Sequence, residues 1–126
     1  MRPSCMTQRD VLAHLYDVAR ACELIERFTR DRTFDDYADD PMLRSAVERQ
    51  FEIVGEALRR AVDLDGTLAE RITGTERIVA FRNRLIHGYA RVSDEVVWGI
   101  LEGSLSTLHD EVNALLPDSA PPTGEG

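Results

Sequence analysis

Residues 41–62 read PMLRSAVERQFEIVGEALRRAV, and their pattern predicts a long amphipathic helix. Apolar residues recur at helical spacing along one side: Leu43, Val47, Val54, Leu58 and Ala61, with Ala46, Ile53 and Ala57 beside them. The other face carries charged residues: Arg44, Glu48, Arg49, Glu52, Glu56 and Arg59. Such a face is typical of a solvated helix surface with i,i+4 ion pairs. The Asp40-Pro41 pair predicts where the helix begins, because Asp suits the N-cap and proline the first helical position.

A second amphipathic helix is predicted upstream, from about Gln8 to Thr29. Its apolar stripe alternates spacings of four and three: Val11, Leu15, Val18, Cys22 and Ile25. The intervening DRTFDDYADDP, residues 31–41, is interpreted as a polar linker.

The sequence after residue 62 predicts two further main helices. TLAERITG, residues 67–74, indicates a short helix or turn. A third helix is expected from a cap at Thr75 to a glycine stop at Gly88. Ser93 opens the fourth, whose stripe is Val97, Leu101, Leu105, Leu108, Val112 and Leu115.

These elements together predict an all-α, up-down bundle of four main helices. The fourth helix stops near Pro117, and SAPPTGEG at the C-terminus has the composition of a disordered tail. The expected organisation is one domain over 1–117 with a flexible tail over 118–126.

Composition excludes several classes of protein. A formal charge of −8 argues against a protein that coats nucleic acid with a basic face, although it allows a local cationic site. No apolar run is long enough to span a bilayer, and the N-terminal residues lack the apolar core of a signal peptide. Cys5 and Cys22 lack metal-ligand spacing and are expected to be reduced thiols. The expected location is the cytoplasm, without membrane contact.

One short stretch concentrates positive charge in this acidic chain. Residues 77–93 hold Arg77, Arg82, Arg84 and Arg91 around His87 and Tyr89, with no Asp or Glu. A histidine can accept or donate a proton near neutral pH, and a guanidinium can hold a phosphate and stabilise transition-state charge. The combination therefore suits cleavage of a phosphodiester without a metal ion. His14 and His109 are interpreted as ordinary helix residues without polar clusters around them.

Helical geometry complicates a site made of Arg82 and His87. Asn83 lies four residues before His87 and shares its face, so its amide can fix the histidine tautomer. Arg82 lies five residues before His87, which places it roughly 140° around a regular helix. Either the helix bends near Gly88, or the two groups meet across a two-fold dimer interface. A non-catalytic interpretation is also open, in which His87 interacts with the helix dipole and the arginines are solvated.

Three segments resemble HepT-like proteins, a branch of the HEPN superfamily of small helical bundles. RNRLIHGY, residues 82–89, is similar to the RX4HXY motif of that family. VERQFEIVGEAL, residues 47–58, resembles the segment around its I-G-E-A signature, with Val54 before Gly55. VSDEVVWGIL, residues 92–101, resembles the segment that follows the motif.

The resemblance implies a homodimeric toxin of a type VII HEPN/MNT toxin–antitoxin module. Arg82 and His87 would be the catalytic residues of a metal-independent RNase, with Asn83 supporting them. A minimal nucleotidyltransferase antitoxin would silence the toxin by transferring AMP from ATP to Tyr89. ATP and magnesium would be used by that antitoxin, so no cofactor is expected in this chain.

Two other interpretations remain open from the sequence. The chain could be a non-catalytic HEPN accessory or substrate subunit of a minimal nucleotidyltransferase, with Tyr89 as acceptor. It could also be a plain helical dimerisation module. The first of these alternatives needs the same residues as the RNase, so the motif alone does not separate them.

Overall fold

The computed structural model describes residues 5–87 and 92–117, with side chains from residue 7 onward. Within these ranges the chain forms helices and no strand. Seven helices follow one another: α1 Cys5–Thr29, α2 Phe34–Asp39, α3 Pro41–Leu64, α4 Leu68–Arg71, α5 Thr75–His87, α6 Asp94–Gly103 and α7 Leu105–Leu115. The all-α bundle predicted from the sequence is confirmed. Gly88 and the tail over 118–126 lie outside the described residues, so the predicted helix stop and domain boundary stay predictions.

Helix α3 begins and packs as the sequence predicts. The Asp40 carboxylate accepts hydrogen bonds from the backbone N–H groups of Met42 and Leu43, and Pro41 occupies the first turn. The predicted stripe is buried, together with Phe51, which the sequence pattern had not singled out. The Phe51 ring meets Phe81 of α5 edge-to-face, with 5.4 Å between ring centroids. This aromatic contact holds α5 against the middle of α3.

The prediction of a polar linker between α1 and α3 is wrong in part, because this segment contains helix α2. Thr33 and Asp36 form a reciprocal capping box at its start. Phe34 and Tyr37 lie one turn apart and both pack on Trp98 of α6, at ring-centroid distances of 6.3 and 5.4 Å. Tyr37 is fully buried. Burial of these aromatic rings folds an acidic segment into a helix against the bundle.

The predicted fourth helix is divided into α6 and α7 at Ser104. Its start is confirmed, since the Ser93 hydroxyl accepts a hydrogen bond from the Val96 backbone N–H. The apolar stripe continues across the break, with Val97, Leu105, Leu108 and Val112 buried. Gly103 and Ser104 are poor helix formers, which explains why the helix is interrupted there. The hydrophobic pattern alone gives no sign of this interruption, because the stripe keeps its helical spacing.

Helix α3 is the centre of the bundle. Helices α1 and α5 both pack along it, α7 packs on α1, and α6 contacts α7 and α2. Among the helices described, α5 makes extensive contacts only with α3. Within the described ranges no helix is long and apolar enough to cross a membrane.

Candidate functional site

Arg82 is held against α3 by an ion pair that joins two distant segments. Its Nη2 lies 2.9 Å from Oε1 of Glu56, and its Nη1 donates to Oδ1 of Asn83 at 2.8 Å. The Arg82 side chain is 22% exposed, so it is partly buried and held in place by these contacts. The structure thus gives Asn83 a contact with Arg82. The predicted contact of Asn83 with His87 stays a prediction.

Glu56 is itself held by two arginines of its own helix. Arg60 Nε lies 2.7 Å and Arg59 Nη2 3.0 Å from Oε2 of Glu56. Hydrogen bonds from Arg60 and then Arg59 lower the pKa of Glu56 to about 2, with a smaller contribution from the charge of Arg82. Glu56 is therefore ionised at any physiological pH. The prediction of a merely solvated charged face is wrong at this position, because Glu56 has a tertiary partner.

Gly55 allows α5 to approach α3 this closely. A Cβ atom at Gly55 would lie 2.2 Å from Cβ and 2.7 Å from Cγ of Arg82. Both distances are below any real carbon–carbon contact, and both atoms lie near the α5 backbone, which cannot swing away as a flexible side-chain end could. The Gly55-Glu56 pair thus has a structural purpose: the glycine makes room for Arg82, and the glutamate binds it.

His87 is the last residue of α5, and its side chain is exposed. Arg82 turns toward α3, and on a regular helix the two residues point roughly 140° apart. The described part of α5 is helical as far as His87, so no bend before that residue brings them together. Tyr89, Gly88 and Arg91 lie outside the described residues.

The basic stretch is not gathered around one point in space. Arg84 is exposed, and Arg77 lies at the other end of α5 beside Gly74. Arg77 lines a separate, mostly apolar cavity of about 260 Å³ with Phe51, Phe81 and Leu105. The expectation that these cations converge is therefore wrong for Arg77. No pattern in the sequence indicates that Glu56 on α3 pairs with Arg82 on α5 and compensates its charge.

A second cavity, of about 250 Å³, opens beside Arg82 between α1, α3 and α5. Its lining residues are His14, Asp17, Arg49, Glu52, Ile53, Glu56, Ala57, Arg60, Arg82 and Ile86. The interpretation of His14 as a residue without polar neighbours is wrong. No sequence signal connects His14 with Arg82, because they line the same cavity only through the packing of α1 and α5 on α3.

The other titratable side chains have structural partners. His109 Nδ1 on α7 lies 3.1 Å from the carboxylate of Glu26 on α1, which also corrects its interpretation as an isolated helix residue. Cys22 is fully buried in α1, and burial raises the pKa of its thiol to about 12. Among residues 7–87 and 92–117, no group of three His, Cys, Asp or Glu could hold a metal ion.

Comparison with known proteins identifies the class to which this bundle belongs. The family model described as Ribonuclease HepT-like matches residues 18–115. The chain is 31% identical over 109 residues to a predicted RNase of Methanocaldococcus jannaschii, covering 85% of this chain and 97% of that protein. It is 34% identical over 102 residues to a predicted ribonuclease HepT of Thermococcus cleftensis, covering 81% and 92%. No solved structure matches significantly.

The matched range contains the helices that build the site, from the middle of α1 to the end of α7. The chain therefore belongs to the HepT-like family, as the motif around Arg82 and His87 indicated.

Proposed function

We propose that the chain is a metal-independent RNase in which Arg82 and His87 are the catalytic residues. The observation that carries the proposal is the fixed guanidinium of Arg82 beside an open cavity, in a chain of the HepT-like family. Relatives named as RNases cover 85% and 81% of this chain, which supports the same activity here.

The proposed reaction is a transfer of the phosphodiester within the RNA. The ribose 2′-hydroxyl loses its proton and its oxygen bonds to phosphorus, while the bond from phosphorus to O5′ breaks and that oxygen gains a proton. The products are a 2′,3′-cyclic phosphate and a free 5′-hydroxyl. His87 accepts or donates one of these protons, and Arg82 holds the phosphate oxygens and stabilises the added negative charge.

We place the complete site in a homodimer. Arg82 and His87 diverge on α5, and among the helices described α5 makes extensive contacts only with α3, with Ile86 45% exposed near its end. A two-fold axis beside α5 would cover this face and bring His87 of one chain toward Arg82 of the other. Light scattering of the purified chain tests this arrangement, and a strict monomer at micromolar concentration argues against it.

The chain is further proposed to be the toxin of a two-gene module, silenced by a minimal nucleotidyltransferase. Transfer of AMP to Tyr89 would place a negatively charged, bulky group two residues from His87. Tyr37 is fully buried, which removes it as a competing acceptor. ATP and its magnesium ion belong to the partner enzyme in this scheme.

The deciding experiment compares the wild type with Arg82→Ala and His87→Ala in RNA cleavage and in growth arrest. Each substitution is expected to lower the rate by about 10²–10⁴-fold, with unchanged helical content. Activity is expected to persist in EDTA. A requirement for added divalent metal would overturn the mechanism.

A wild-type chain that accepts AMP but never cleaves RNA would instead support the accessory-subunit alternative. The ion pair of Arg82 with Glu56 favours that alternative as the second candidate, because a phosphate must share Arg82 with this carboxylate.

A further inference from the structure

The cavity beside Arg82 has a defined construction. Helix α3 forms its floor, and α1 and α5, which pack on α3 rather than on each other, form its walls. Its volume of about 250 Å³ is slightly below the usual range of sites for drug-sized molecules. One nucleotide-sized fragment is therefore a better match than a larger ligand.

The polar groups in this cavity fall into two sets. Glu52 pairs with Arg49 at 3.3 Å, and Glu56 pairs with Arg60 and Arg82. His14 and Asp17 form no side-chain hydrogen bond or ion pair with any of the residues whose side chains are described. They lie three residues apart on α1, so both can reach one ligand.

The charge of the lining restricts the ligand. Three arginines face three carboxylates, so the cavity walls carry no excess formal charge when His14 is neutral. A polyanion gains little from such walls, whereas a neutral group with both donors and acceptors can use them. Ile53, Ala57 and Ile86 add an apolar surface. A nucleobase with its ribose combines a flat apolar face with polar edges.

We propose that this cavity is a nucleoside subsite, in which His14 and Asp17 hydrogen-bond the nucleoside of the nucleotide whose phosphate Arg82 binds. The inference rests on the proposed function, since it takes Arg82 as a phosphate-binding residue. The same ligand chemistry has two sources: a nucleotide within bound RNA, and AMP attached to Tyr89. Asp17 and Glu52 favour bases that present amino groups, because a carboxylate only accepts hydrogen bonds.

The test uses the full chain labelled at its three histidine rings, followed by NMR during addition of AMP. The His14 signals are expected to shift with AMP and not with inorganic phosphate at equal concentration. The His109 signals are the internal control, because His109 pairs with Glu26 in another part of the bundle. His14→Gln and Asp17→Asn should each weaken AMP binding about tenfold, the effect of one lost hydrogen bond. His109→Gln should leave it unchanged.

Two further arms separate the sources of the nucleotide. A non-cleavable RNA that carries 2′-O-methyl groups should shift the His14 signals of the unmodified chain if RNA occupies the cavity. In a chain carrying AMP on Tyr89, the same signals should already be shifted before any ligand is added. Absence of a His14 shift in both arms, with AMP binding unaffected by His14→Gln, overturns the subsite.

Cleavage kinetics distinguish an error in the nucleoside subsite from an error in the RNase proposal. His14→Gln should raise KM for RNA with a smaller effect on kcat, as expected for lost substrate binding. If Arg82→Ala and His87→Ala abolish cleavage while His14→Gln matches the wild type, the subsite alone is wrong. If the wild type does not cleave RNA but AMP still shifts His14, the nucleoside subsite stands and the RNase proposal is wrong.

Discussion

Oε1 of Glu56 on α3 lies 2.9 Å from Nη2 of Arg82 on α5. This ion pair connects two of the three sequence segments that resemble the HepT-like family, the one around Gly55-Glu56 and the one that begins at Arg82. It fixes where the guanidinium points, because Glu56 is itself tethered by Arg59 and Arg60. The orientation of the proposed catalytic arginine is therefore set by Glu56 of α3 together with Asn83 of its own helix.

Replacing Glu56 tests that relationship. Glu56→Gln keeps the size of the side chain but removes the charge that holds Arg82, so cleavage of RNA should fall by up to about 10²-fold, as expected for a misplaced catalytic group. Glu102→Gln is the matched control, because Glu102 is an exposed carboxylate on α6 that does not line the cavity beside Arg82. Initial rates on a single-stranded RNA, with helical content checked, give the comparison. Equal rates for the two variants would contradict a positioning role for Glu56.

The low pKa of Glu56 predicts how the free energy of unfolding of the wild type and of Glu56→Gln depends on pH. Hydrogen bonds from Arg60 and Arg59 lower the pKa of Glu56 to about 2 in the folded chain, below its ordinary value of 4.5. Since the folded pKa is the lower one, the contribution of ionised Glu56 is complete above the unfolded pKa and is lost as the pH falls through the folded one. The difference in unfolding free energy between wild type and Glu56→Gln should therefore be constant near neutral pH and shrink between about pH 4.5 and 2. Urea unfolding at a series of pH values measures it, and a difference that does not change with pH would be the contrary result.

Gly55→Ala should destabilise the bundle and displace Arg82. The added methyl group would lie 2.2 Å from Cβ of Arg82, so α5 must move away from α3. Overpacking of this kind costs about 1–3 kcal/mol. Gly99→Ala is the control, since Gly99 lies within α6 and an added Cβ has no neighbour within 4 Å. It should stabilise the chain by about 0.5–1 kcal/mol, as for other glycines replaced in helices. Thermal unfolding of both variants should give shifts of opposite sign.

Tyr89→Phe should abolish modification by a cognate nucleotidyltransferase. Co-expression of the wild-type chain with that enzyme should add the mass of one or more AMP units to the peptide that contains Tyr89. Tyr16→Phe is the control, because Tyr16 lies on α1 in a half-buried position and should not affect the added mass. The Tyr89→Phe chain should stay active in the presence of the partner unless tight binding alone inhibits it. AMP found on another residue would contradict the assignment.

The sequence by itself determined the helices and the candidate motif. Apolar stripes on α1 and α3, the Asp40 cap and the Ser93 cap depend on contacts within one or two turns, so residue spacing reveals them directly. The resemblance of residues 82–89 to a family motif is likewise a property of one short segment. For these features, local chemistry and the final structure agree.

Tertiary structure alone decided which side chains meet. The helix within residues 34–39 depends on Trp98, whose ring is available only after α6 has packed against it. The pairing of Glu56 with Arg82, and the cavity that places His14 beside them, depend on how closely α1 and α5 approach α3. Residue spacing describes the faces of one helix at a time, whereas these contacts arise from distances between helices that are far apart in the chain. The sequence of residues 77–93 predicts a patch of positive charge. In the folded chain the carboxylate of Glu56 on α3 pairs with Arg82, which reduces that charge.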